Sequence, residues 1–239
     1  NSKQTIINSE KKEPPFKTAF DELIQKFKLN IDNPTIDCID ISHHSGSNPK
    51  AGIVRFNING PDKKFYRAYS LPKELGGNDP GSIVFAINKR LEKKDNNPSI
   101  LLVDGGKAQL NALIPQVNEK DTLLLAIEKG SLRKALTESI YSVDGQESID
   151  KNSKLFNLLM RARDEAHRFA IKANRAAKRK NMQASILDSI QGVGPKTKER
   201  LFNEFKSIDV ILNAEISLLE NVKGVNHRIA CEIKQLKLS

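Results

Sequence analysis

The chain has 239 residues, 38% of them hydrophobic, and a formal net charge of +10. That length suits one domain of ordinary size plus a small one, and the charge favours an anionic partner, nucleic acid before an acidic membrane surface. No apolar run is long enough to span a membrane, the opening NSKQTIINSEKK is not a signal peptide, and the distant Cys38 and Cys231 read as reduced thiols, so a cytoplasmic protein with no membrane partner is expected.

The start lacks methionine and reads as that of a fragment. Residues 1–15 are polar, charged and end in Pro-Pro, as a linker would. An amphipathic helix through Phe20, Leu23, Ile24 and Phe27 follows, so residues 1–30 form a linker and short helix. Residues 35–41 are β-rich and carry Asp40 near their end. Residues 51–56 and 65–71 are strand-like and joined through Asn59-Gly60, which predicts an antiparallel hairpin. The turn Gly76-Gly77-Asn78-Asp79-Pro80 leads into a helix ending near Lys93. Ile100-Leu101-Leu102-Val103 is a continuous apolar run, the mark of a strand buried on both faces. It stops at Asp104-Gly105-Gly106, and a helix over 107–117 follows. Residues 122–127 form a further buried strand, and 128–152 have little periodicity, which predicts loop with some helix.

Nothing breaks a helix over residues 155–180, roughly seven turns. At 100° per residue, Leu155, Leu158, Leu159, Ala162, Ala166, Phe169, Ala170, Ala173 and Ala177 share one face. Five of these are alanine, so the face can lie close against a sheet. Arg161, Arg168, Lys172, Arg175 and Arg179 occupy the opposite face, and His167 falls on the flank beside the buried stripe. Eight basic and two acidic residues lie between Arg161 and Lys180, so much of the excess charge sits in this helix.

The order is three strands, helix, strand, helix, strand, helix. The first three strands pair antiparallel and the later ones, reached through helices, run parallel. This predicts an α/β fold, an RNase H-like mixed five-stranded sheet with flanking helices, over residues 31–180. In such a sheet the strands ending in Asp40 and Asp104 are neighbours. Two adjacent carboxylates repel unless a cation lies between them, and Mg2+ or Mn2+ would resolve the conflict through oxygen ligands. His167 would be a third ligand or an acid/base group. Taken singly, a strand-end Asp before Gly-Gly is usually a turn former and a helix-flank His a packing residue.

Residues 181–183 look like a short connector, and from 184 an internal repeat appears at an offset of 32 residues. Ile190 matches Val222, Gly192 matches Gly224, Val193 matches Val225 and Leu201 matches Ile233. Each unit reads helix, Gly-Val turn, helix, so residues 184–239 resemble a small all-α tandem helix-hairpin-helix domain that grips DNA backbone. The first turn offers Gly192, Val193, Gly194 and Lys196; the second offers Gly224, Val225 and Asn226, with Asn226 expected to keep the turn by a left-handed conformation. A pair of hairpins that dimerises or binds protein is the other reading.

The segments IDCIDISHHSG, YRAYSL, GGNDPGS, LLVDGGKAQLNA, RARDEAHRFAI and SILDSIQGVGPK resemble, in order, the C-terminal half of the UvrC family, the incising subunit of bacterial nucleotide excision repair. The resemblance runs from about residue 36 to the end, interrupted near 128–154. It implies an endonuclease that makes the 5′ incision at a lesion in double-stranded DNA marked by UvrA and UvrB, leaving a 3′-hydroxyl and a 5′-phosphate. The family's Asp-Asp-His triad falls on Asp40, Asp104 and His167, and a further acid falls on Asp79, where GGNDPG departs from the usual spelling. Lys107 and Arg168 are candidates for holding phosphate, Lys107 equally a solvated helix-start lysine. The rival readings are a catalytically silent DNA-binding or scaffold module and an RNase H-like junction resolvase.

Overall fold

The computed structural model describes residues 13–42, 49–92, 97–117, 121–129 and 138–236. Most of the expected N-terminal linker, the HHSG end of the first motif, the end of the helix expected to reach Lys93, and part of the stretch expected to be loop lie outside them. The strands are β1 (Ile36–Ser42), β2 (Lys50–Asn57), β3 (Gly60–Pro61), β4 (Arg67–Ser70), β5 (Ile100–Asp104), β6 (Leu123–Glu128), β7 (Ser139–Ser142) and β8 (Gly145–Glu147). Around them lie α1 (Lys17–Phe27), α2 (Asp79–Leu91), α3 (Lys107–Leu113) and α4 (Lys154–Ile186).

Among the described residues the eight strands form one mixed sheet in the order β3-β2-β1-β5-β6-β7-β8, with β4 also pairing with β2. β1, β2 and β4 are antiparallel, and β1, β5 and β6 are parallel. This is the RNase H-like mixed sheet with flanking helices. It is larger than the five strands expected, because β3 and the hairpin β7–β8 extend it. The hairpin replaces part of the loop expected over 128–152. Its turn is Val143-Asp144, and Gly145, which follows it at the start of β8, takes φ +130°, a conformation that L side chains rarely adopt. Phe65, expected in a strand, belongs instead to a 3-10 turn, Lys63–Phe65, before β4.

Alternation sorts the side chains onto two layers. Ile36 and Cys38 of β1, with Ile100 and Leu102 of β5, pack with α1 and α4. Ile39, Leu101 and Val103 point the other way and pack with α2 and α3. Even-numbered positions of β1 and β5 therefore face α4. By the same parity Asp37 faces α2, where Arg55 and Arg90 bond its carboxylate at 2.6–3.0 Å, all three side chains being buried.

Leu155, Leu158, Leu159, Ala162, Ala166 and Ala170 of α4 are all buried. Fully burying each leucine contributes about 1.5–3 kcal/mol. The helix seats on β2 with no room to spare: a Cβ added to Gly52 would lie 2.8 Å from the Cβ of Ala170. Farther along, the buried Asn174 donates from Nδ2 to the Ser42 carbonyl at 2.8 Å. At the helix start Glu22 accepts from the Leu155 N–H at 2.8 Å, satisfying one of the donors that a first turn leaves open. α4 has 33 residues, so 181–183 are helical rather than a connector; no breaker interrupts the helix there.

By packing, the chain divides into Asn1–Asn174 and Arg175–Ser239. The second unit contains α5 (Pro195–Phe205), α6 (Ile208–Asn213), α7 (Ile216–Glu220) and α8 (His227–Gln235) around its own apolar core. The 32-residue repeat emerges as reciprocal packing. Gly192 and Gly224 take φ +96° and +98°. A Cβ on Gly192 would meet Ile229 at 3.3 Å, and one on Gly224 would meet Thr197, its repeat equivalent, at 2.8 Å. Each turn carbonyl also accepts from an arginine of the other repeat: Arg228 donates to Gln191 and Arg200 to Lys223.

Candidate active site

β1 and β5 run parallel with Ile39 opposite Val103, so Asp40 and Asp104 are the next positions on adjacent strands, and both face α4. Asp40 is paired across β1–β2 with Gly52, the residue on which Ala170 seats. His167 is three residues before Ala170 and therefore close to its face of the helix. The missing side chain at Gly52 thus brings α4 down beside Asp40. Nδ1 of His167 lies 3.0 Å from Oδ2 of Asp40. Ligand atoms of Asp40, Asp104 and His167 all lie within 4.8 Å of one another.

The electrostatics of this cluster are unfavourable to its charged form. Burial, then the neighbouring Asp104, pushes the Asp40 carboxyl up to about 6, with His167 pulling the other way. Asp104 is also raised, chiefly by burial, against the charges of Lys129, Arg163 and His167. The Asp40 side chain is 9% exposed and that of His167 52%, so the cluster has a buried floor and an open side. An ionised Asp40 only accepts, so the neutral imidazole carries its proton on Nδ1 and keeps its lone pair on Nε2. Two crowded carboxylates and an imidazole suit a hard divalent cation, which would relieve the repulsion that the raised carboxyls report.

The other expected residues are not among these ligand atoms. Asp79 opens α2, where Asn78 caps the first turn by accepting from the Gly81 N–H at 3.0 Å. Arg90 in the last turn of α2 reaches Asp37 near the start of β1, so α2 begins toward the Asp40 end of the sheet, but Asp79 does not belong to the group of close ligand atoms. Lys107 begins α3 and lies 4.8 Å over the ring of Tyr141 in β7. Arg168 grips Glu165 through two bonds of 2.6–2.7 Å, and Glu165 also accepts from the Tyr66 hydroxyl.

One neighbour escaped the sequence reading. Arg163 lies one turn before His167 and pairs with Glu138 at 3.1 Å and Asp164 at 2.8 Å. It ties α4 to the start of β7 and bears electrostatically on Asp104. Its spacing of four from His167 is the signal the sequence offers, but its partner Glu138 lies in the stretch 128–152, which has little periodicity.

In the second unit, Gly194 and Asn226 are the residues before α5 and α8, with φ −86° and −101°. The left-handed conformation expected at Asn226 belongs to Gly224 instead. Asn226 is extended and caps α8, its side chain accepting from the Ile229 N–H at 2.9 Å. Val193 and Val225 are buried in the unit's core, while Lys196 is exposed on the first turn of α5. Among the described residues no helix is long and apolar enough to cross a membrane.

Comparison with known proteins follows the same division. Residues 25–171 match the UvrC RNase H endonuclease domain family, and residues 184–235 match the SAM-like helix-hairpin-helix tandem. The UvrABC system protein C of Shewanella frigidimarina is 35% identical over 223 residues, covering 88% of this chain and 36% of that protein. Its counterpart in Pseudomonas fluorescens is 37% identical over 213 residues, covering 84% and 35%. The chain therefore spans about a third of the length of these curated relatives. Among solved structures, human ENDOV gives a TM-score of 0.31 at 16% identity, covering 42% of this chain and 48% of that one.

Proposed function

The chain belongs to the UvrC family, and from that premise we propose that it is the part of a nucleotide-excision-repair nuclease that cuts DNA on the 5′ side of a lesion. The observation that carries this reading is the convergence of Asp40, Asp104 and His167 at one sheet edge. We assign residues 31–180 to the nuclease domain and 184–239 to a module that holds DNA backbone.

In this reading Asp40 and Asp104 hold a divalent cation, Mg2+ or Mn2+, and His167 completes the site through Nε2, its Nδ1 proton fixed by Asp40. The bound ion would supply charge neutralisation at a phosphodiester and a more acidic water. The chain's own residues do the rest. The close seat of Ala170 on Gly52 fixes His167 against the two strand ends. Arg163 adds positive charge beside Asp104. Lys107 and Arg168 position the phosphate backbone, and Asp79 adds a further acid from the start of α2. Hydrolysis leaves a 3′-hydroxyl and a 5′-phosphate. Gly192, Val193, Gly194 and Lys196 form the stronger backbone grip and Gly224, Val225 and Asn226 the weaker: Gly194 brings no side chain to the first turn of α5, whereas the Asn226 side chain already occupies one donor of α8. Damaged double-stranded DNA is the substrate, delivered with UvrB after UvrA has acted.

Nicking of supercoiled plasmid with Mn2+, with and without chelator, tests the reading. Wild type should nick and the chelator should stop it. Asp40→Asn and Asp104→Asn should each lower nicking by at least about a hundredfold while leaving DNA binding intact. Full nicking by both variants would remove the proposed site.

A further inference from the structure

The second unit carries a nucleophile outside the site already described. Sγ of Cys231 lies 3.6 Å from Nε2 of His227, and Nδ1 of the same ring lies 2.7 Å from Oε1 of Glu220. Glu220 is the last residue of α7, His227 the first of α8, and Cys231 follows one turn later. Three side chains from the two arms of one hairpin are thus joined through both nitrogens of one imidazole. A carboxylate only accepts, so Glu220 holds the ring proton on Nδ1 and leaves the Nε2 lone pair facing the thiol. The His227 side chain is 76% exposed, and Cys231 is partly exposed. The other thiol, Cys38, is fully buried in the sheet.

We propose that Cys231 is a modification site, a thiol activated by His227 and oriented by Glu220 that exchanges with low-molecular-weight disulfides. As Sγ attacks one sulfur of the disulfide, its proton passes to Nε2 of His227. The incoming S–S bond breaks, one half forms a mixed disulfide with Cys231, and the other leaves as a thiolate that takes the proton back from the imidazolium. The disulfide is the oxidant and the departing thiol its reduced half, so no further reactant is required. A glutathionyl group attached here adds negative charge to α8, next to the Gly224 turn. It would weaken DNA binding, a consequence that rests on the backbone-holding role proposed above; the thiol chemistry does not.

The test is the rate of mixed-disulfide formation with oxidised glutathione, followed by mass spectrometry on the whole chain and referred to the rate of the same thiol in urea. One adduct per chain is expected, on Cys231 and not on Cys38, formed faster in the native than in the unfolded state. His227→Gln should lower that native-to-unfolded ratio by about tenfold or more, and Glu220→Gln by less. A ratio unchanged in His227→Gln, or a wild-type thiol no faster folded than unfolded, overturns the proposal. DNA affinity of the adduct, compared with Cys231→Ser, separates the consequence from its premise. Loss in the adduct alone supports both. Equal affinity of adduct and variant removes the consequence, and weak binding by the unmodified wild type removes the DNA reading itself.

Discussion

Asp40 shows what a single residue contributes and costs. Its folded carboxyl titrates at about 6 against an ordinary 3.8, raised first by burial and then by Asp104. The folded state therefore binds this proton more tightly than the unfolded chain does. The ionised form weakens the fold fully above about pH 6, and the penalty is relieved as pH falls through 6 toward 3.8. Asp104 acts in the same direction. With metal chelated, Asp40→Asn should therefore stabilise the chain at pH 7.5 by on the order of 1–3 kcal/mol in urea unfolding, and the gain should shrink by pH 5. A variant less stable than wild type at pH 7.5 would mean that the cluster is not electrostatically strained. Asp40, Asp104 and His167 were legible in the sequence because each marks the end or flank of a strongly patterned element. Arg163 is not, because its partner Glu138 comes from the stretch 128–152, whose short hairpin about Val143-Asp144 leaves little periodicity in the sequence.

Among the elements, the contact of α4 with β2 decides where His167 stands. The alanine-rich stripe predicted a close approach to a sheet, but not the strand or the register. Those depend on Gly52, whose lack of a side chain has meaning only once its neighbours are known. Gly52→Val should force α4 off β2, since even a bare Cβ would sit 2.8 Å from Ala170. A loss of about 1–3 kcal/mol is expected, with nicking falling by at least about tenfold as His167 moves from Asp40. Nicking at the wild-type rate in a folded Gly52→Val chain would show that this seat does not position the histidine. The opposite face of the sheet depends on Asp37, Arg55 and Arg90, a buried ion cluster that strand alternation alone did not reveal.

For the whole molecule, each unit has its own apolar core, one on either face of the sheet in the first and a separate one in the second. Removing residues 184–239 should leave a cooperatively folding first unit whose affinity for a bubble or nicked duplex is lower by about tenfold or more. Unchanged affinity would show that the hairpins are not the DNA anchor. The 32-residue repeat made this second unit legible, because both turns keep the glycine that the backbone needs at φ +96° and +98°. The reciprocal packing of each turn against the other repeat is a tertiary fact that no single hairpin sequence encodes.

The central claim is that two strand ends and one helix flank hold a catalytic cation. Diffraction at the manganese absorption edge from crystals soaked in Mn2+ tests it most directly. The account predicts an anomalous peak within coordinating distance of carboxylate oxygens of Asp40 and Asp104 and of a nitrogen of His167, absent in Asp104→Asn. A manganese peak elsewhere, with this cluster empty in a chain that still nicks DNA, would contradict it.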